Sequence, residues 1–285
     1  DPAMFAGSLL ACDMGGGALA RQLTDDPQAA ALGGVITGSM LGATVVFTIP
    51  VAMGILREED RPVMAKGILC GIVTIPLGVL AGGLTAGFPL PMVLRNLVPI
   101  VLIALLIALG LWRAENAMVR GFEVFGKLVV AVATVGLAAA IGEALTGYPI
   151  IRGMEPISEG FETVGVIAIV LAGAFPLVFV LTKLLRKPLL AAGGLLGIND
   201  AAAAGLLASL ANSIAAFGMV KDMNERGKIV NSAFAVSGAF VFGDHLGFTA
   251  GFAPEMMGAM IVGKLVGGLT AIAAAWILTR KSEKA

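Results

Sequence analysis

Residues 189–247 contain two nearly unbroken apolar runs that carry Asn212, Ser213, Asn231, Asp244 and His245 where lipid would not accept them. A carboxylate or carboxamide at bilayer depth costs a few kcal/mol, so it normally faces protein or a water-filled cavity. A chain with this stretch must wrap other helices around those side chains. The rest of the sequence supplies them: mean hydropathy is +0.96, and only 13% of residues are charged, about half the share of a soluble domain. Glycine, 39 of 285 residues, is used about twice as often as usual and suits membrane helices whose backbones approach closely. The reading is an all-α polytopic membrane protein, with residues 1–285 forming a single transmembrane domain.

Several function classes fall away. The formal net charge is zero and no basic stripe stands out, so nucleic acid is not an expected partner. Cys12 and Cys70 lie inside apolar runs and make neither a disulfide framework nor a metal cluster. There is no H-E-x-x-H, G-x-S-x-G or P-loop, and His245 is the only histidine. No enzyme, metal site or cofactor is therefore expected.

Apolar runs cover residues 3–23, 29–56, 63–86, 92–112, 121–146, 160–181 and 256–279. Each is near or above the ~20 residues that a spanning helix needs. Gly34, Gly38 and Gly42, and again Gly67 and Gly71, recur at the four-residue spacing that lets helix backbones touch. Lys and Arg accumulate on the cytoplasmic side. That rule puts the tail and the loops at 57–66, 113–120, 183–187 and 221–228 inside, and the acidic turn 24–28 and the loop around Glu155 outside. Two inside loops then flank residues 188–220, which must enter and leave by one face. Roughly thirty residues are too few for two crossings. The economical solution is a re-entrant hairpin with its tip near residues 197–200; the other is one spanning helix plus a surface helix, with one loop breaking the charge rule.

Laying Gly7 on Gly205 matches Ala6-Gly7 with Ala204-Gly205, and Asp1-Pro2 falls on Asn199-Asp200. Each copy continues through a charged turn into a helix holding Gly38-Ser39 or Ser237-Gly238. The two turns fall on opposite faces, so residues 1–56 and 188–250 are read as inverted repeats with re-entrant or broken helices. Secondary transporters recurrently use that plan, with the substrate site at the breaks. The first copy lacks the arm corresponding to residues 188–197, so the chain is expected to be the later part of a longer protein.

The candidate site follows from the polar residues. Asp13, just before a glycine triplet, either neutralises a cationic solute or caps a half-helix. Asp244 either holds an ammonium or ends a helix near an aqueous face; His245, which titrates near neutrality, either gates a proton or pairs with Asp244. Asn212, Ser213, Asn231, Ser39 and Ser237 can bind a hydroxyl or bond between helices. Lys264 is expected to snorkel or pair with an acid.

The motifs LLACDMGG (residues 9–16), GSMLGATVVFTIPVAMGI (38–55), GIVTIPLG (71–78), NERGKIVNSAFAVS (224–237) and GDHLGF (243–248) resemble the ethanolamine permease family of bacterial ethanolamine-utilisation operons. The resemblance is collinear over essentially the whole chain. It implies a multi-pass protein of the bacterial inner membrane that admits protonated ethanolamine, its partners being that amine and the lipid bilayer; a homo-oligomer stays open. Such a solute needs a carboxylate, from Asp13 or Asp244, and a neutral group for its hydroxyl, from Asn212, Asn231 or His245. The alternative is a proton- or sodium-coupled carrier of another small polar solute such as a nucleoside.

Overall fold

The computed structural model describes residues 1–10, 14 and 16–282. Asp13 and Cys12 lie outside the described residues. The helices are α1 (Ala3–Ser8), α2 (Gly16–Leu23), α3 (Pro27–Ala52), α4 (Arg61–Thr85), α5 (Leu90–Ala114), α6 (Asn116–Thr146), α7 (Ile157–Leu196), α8 (Asp200–Ala211), α9 (Ser213–Gly218), α10 (Glu225–Ser237), α11 (Asp244–Phe252) and α12 (Met257–Ser282). No strand occurs among the described residues. Among the described residues six helices are long and apolar enough to cross a membrane. The all-α polytopic membrane architecture is thus the observed one.

Local chemistry explains where the helices begin. Asp26 accepts from the backbone N–H groups of Gln28 and Ala29, with Pro27 next to it to open α3. Asn199, Asn212 and Asn224 cap α8, α9 and α10 in the same way; an Asn or Asp cap is worth about 1 kcal/mol. Gly147 and Gly197 close α6 and α7 in left-handed geometry, each at φ 72°, which glycine adopts without penalty.

The core is a close-packed set formed by α3, α4, α10 and α12. A Cβ on Gly78 would lie 2.7 Å from the Gly263 carbonyl oxygen, and one on Gly67 would lie 2.4 Å from that of Ile229. The glycines are there because the backbones themselves are in contact. Within α3 the residues Leu32–Gly42 and Thr44–Thr48 are wound as π-helix, a form that is rare outside functional sites. Ordinary α-helix resumes at Ile49, beside Pro50.

The first apolar run holds two short helices, Ala3–Ser8 and Gly16–Leu23. Elsewhere the structure departs from the sequence expectation. Residues 183–187 are no loop, because α7 runs through them. A sharp corner of 118° separates Leu190–Leu196 from α8, at the turn expected near residues 197–200, and that turn is clasped against the charged loop before α10. A second reversal lies further on, at Asn212. Lastly, Lys264 is fully buried, so of its two expected placements snorkelling is not the observed one.

Candidate functional site

A pair of short helices, α1 and α2, and a clasped hairpin, α8 with α9, shape the site. In the second, the feet are joined by a reciprocal pair of bonds: the backbone N–H of Asn199 donates to Asn224 Oδ1 and that of Asn224 donates to Asn199 Oδ1, both at 3.3 Å. Between these feet α8 goes in and α9 returns. The apex is Asn212, in extended conformation (φ −159°, ψ 123°), its side chain accepting from the Ile214 N–H at 2.8 Å. In the first hairpin, α1 and α2 take the corresponding places. Asp1 accepts from the Ala3 N–H and from the Thr24 hydroxyl, both at 2.9 Å, so its feet are tied as well. Asp13 falls between these two helices, outside the described residues.

A second interruption meets the apex of the second hairpin. The segment between α10 and α11 runs beside the end of α8: Phe240 N–H donates to the Ser209 carbonyl and Phe242 N–H to that of Leu210, both at 2.9 Å. Phe240 sits at φ 61°, a conformation that costs a bulky residue about 1–3 kcal/mol and persists only where surrounding structure imposes it. A Cβ on Gly243 would collide with the Ala211 carbonyl oxygen, so only glycine permits this approach. The structure therefore brings Asn212 and Asp244 into one region. Asp244 opens α11 and is exposed. His245 is buried, its ring 5.2 Å from that of Phe240.

Ser39 on α3 and Ser237 on α10 each lie against α12 at a neighbouring crossing, Ser39 beside Lys264 and Ser237 beside Gly267. The Thr44 hydroxyl donates to the Met40 carbonyl in its own helix at 2.7 Å and to the Val236 carbonyl across it at 3.0 Å. Gly267 separates Ser237 from Met40: an added Cβ would be 3.0 Å from Ser237 Oγ and 3.4 Å from Met40 Sδ. Lys264 Nζ donates to the Ser39 carbonyl at 2.6 Å, inside the π-helical turn. Ser39 itself bonds back to the Ile36 carbonyl at 2.9 Å. A buried ammonium is tolerated only with such partners.

The polar candidates thus divide by role. Asn231 donates to the carbonyls of Ala202 and Gly227 at 2.9 and 3.0 Å and lies against Gly205; it ties α8 to α10. Ser237 Oγ, together with Ser209 Oγ and Ser213 Oγ, is buried without a hydrogen-bond partner among the described residues. Each such hydroxyl costs about 1–3 kcal/mol if it stays unpaired, and each can receive a donor. Ser209 was not legible in sequence, because a serine among Leu and Ala on a packed helix has no pattern of its own. Lys264 had a signal, a lone cation in a glycine-rich span, that pointed to packing. Among the described residues no three His, Cys, Asp or Glu side chains gather to hold a metal.

At the end where the two loops 24–26 and 253–256 meet lies a cavity of about 240 Å³, lined by Arg21, Asp25, Phe252 and Glu255 among others.

Comparison with known proteins adds a family. The family model described as "Ethanolamine utilisation protein, EutH" matches residues 1–278. A protein of Listeria monocytogenes named "Probable ethanolamine permease EutH" is 60% identical over 284 residues, covering 100% of this chain and 76% of that protein. The similarly named Salmonella typhimurium protein is 47% identical over 309 residues, at 100% and 76% coverage. Bacillus subtilis has an "Uncharacterized protein YxeR" that is 52% identical over 285 residues, at 100% and 77%. The named relatives are permeases, not enzymes. No solved structure matches the chain.

Proposed function

Because this chain belongs to the ethanolamine utilisation protein EutH family, we propose that it carries ethanolamine across the bacterial inner membrane by alternating access. The observation that carries this reading is the unwound apex at Asn212, at the end of a clasped hairpin. Unwound backbone at membrane depth is tolerated only where protein buries it or a cavity needs it, and carriers place substrate at such breaks. The two hairpins correspond closely: Asp1 and Asn199, Gly7 and Gly205, Asp26 and Asn224, and Gly33 and Asn231 are each 198 positions apart. Gly7 packs against Gly33 as Gly205 packs against Asn231. These matches support residues 1–56 and 188–250 as two copies of one unit. The loop charges orient the copies oppositely, with the basic loops cytoplasmic.

Protonated ethanolamine carries one ammonium and one hydroxyl. In this reading Asp13 and Asp244 supply the carboxylates for the ammonium, a charge-assisted contact about twice as strong as a neutral one. Asn212, His245 and the unpaired hydroxyl of Ser237 supply the neutral side. Asn231 and Ser39 act one step back, holding α8 and the π-helical turn in place. Lys264 is the internal cation of the same region. A small amine entering next to it is drawn in only if the carboxylates balance both charges.

The test is uptake of labelled ethanolamine by the full-length protein in proteoliposomes at acidic pH, where little free amine diffuses. Competition by amine and alcohol analogues and loss of uptake in Asp244→Asn are the expected results. Uptake that follows an ion gradient and ignores competing ethanolamine would replace this reading with a coupled carrier for another polar solute.

A further inference from the structure

We propose that the groove between α4 and α12, on the face that carries the basic loops, is a binding site for an anionic phospholipid. The groove encloses about 950 Å³. At its outer end are Lys66 and Arg226, with Glu225 the one acid lining it among the described residues. Deeper in, the lining turns apolar. On α4, Leu69 and Val73 follow Lys66 at three and seven residues, which is one face of a helix. On α12, Ile277 and Leu278 form the opposite wall, 53% and 46% exposed.

This grading from charge to hydrocarbon is what decides the occupant. A headgroup phosphate suits the cationic end, and an acyl chain suits the apolar length below it. Basic pockets between helices on the cytoplasmic side are a recurring way to hold anionic headgroups. The guanidinium of Arg226 is already aimed by neighbours: its Nε donates to Thr279 Oγ1 at 3.1 Å, and its Nη1 donates to the Leu196 carbonyl at 3.4 Å. Those contacts fix the guanidinium at the groove's outer end, beside the exposed Lys66. Trp112, also on the rim and 72% exposed, marks the interface depth where indole rings settle. Free phosphate would have no use for the apolar walls, and a zwitterionic lipid would gain little from the cations.

The groove is separate from the hairpin apex, so the proposal stands or falls independently of the substrate. The experiment is native mass spectrometry of the delipidated full-length protein with phosphatidylglycerol and phosphatidylcholine of matched acyl chains. Phosphatidylglycerol should be retained selectively, and inorganic phosphate should not displace it. Lys66→Gln should weaken its retention about fivefold, one surface cation's share, and leave phosphatidylcholine unchanged. Val73→Trp, which fills the apolar floor, should weaken both lipids. Equal retention of the two lipids, indifference to Lys66→Gln, or a dimer that shields Trp112 in the absence of lipid would overturn the proposal.

Discussion

The guanidinium of Arg21 lies 3.7 Å above the centre of the Phe252 ring and also donates to the Phe252 carbonyl at 2.8 Å. This contact joins the returning arm of the first hairpin to the end of α11, on the rim of the 240 Å³ cavity. A cation–π contact at an exposed site is worth about 0.5–1 kcal/mol, and a hydrogen bond from a charged donor about 1.5–3 kcal/mol. In an alternating carrier a latch of that size shifts the population of the closed state about tenfold or more. Arg21→Ala is therefore expected to open this face. A cysteine placed at Ala31, which lines the cavity, should react faster with a membrane-impermeant thiol reagent in that variant, in a background without Cys12 and Cys70. Arg21→Lys should restore part of the protection.

Lys264 and the Ser39 carbonyl provide a second prediction. The ammonium is desolvated and its contact is charge-assisted, so Lys264→Met removes about 1.5–3 kcal/mol of interaction. Removing one side of a buried charged contact leaves the other side unsatisfied, which lowers stability. The variant should melt below the parent, while ethanolamine uptake per folded protein falls about tenfold or more. Uptake at the parental rate would make Lys264 a packing residue.

Ser237 and Gly267 separate function from packing. The Ser237 hydroxyl is buried and unpaired, so Ser237→Ala should leave stability unchanged or slightly raised, while the KM for ethanolamine rises. Gly267→Ala puts a methyl group 2.8 Å from Ser237 Cβ. Overpacking of that kind costs about 1–3 kcal/mol, visible as a lower midpoint in thermal unfolding.

The clasp between Asn199 and Asn224 should be cooperative. Each residue caps its own helix and bonds to the other's backbone. Each Asn→Ala change should cost about 1 kcal/mol for the cap and more for the shared bond. Because residues in one network are not additive, the double variant should cost less than the two singles together. Strict additivity in a thermal-unfolding cycle would show that the clasp is not one unit.

The family resemblance, the all-α class, most of the spanning helices and the polar residues worth watching were readable from the chain alone. They depend on composition and on local order: lipid excludes Asn231 and Asp244 from its own surface wherever the helices lie, and Gly78 or Gly67 declares close packing before its partner is known. Which polar side chains share a space was not readable, since sequence spacing is silent about contacts between residues hundreds of positions apart. Tertiary structure decided that Asn231 clamps α8, that Ser237 keeps an unpaired hydroxyl beside Gly267, and that Lys264 reaches the Ser39 carbonyl rather than the membrane surface. It also added a second turn, at Asn212, beyond the one at residues 197–200. Gly197 and Asn212 can each end a helix, and the mutual bonds of Asn199 and Asn224 determine that the chain between them doubles back. The physical reason is that a helix break is encoded locally, whereas the path the chain takes after it is set by what its two feet are tied to.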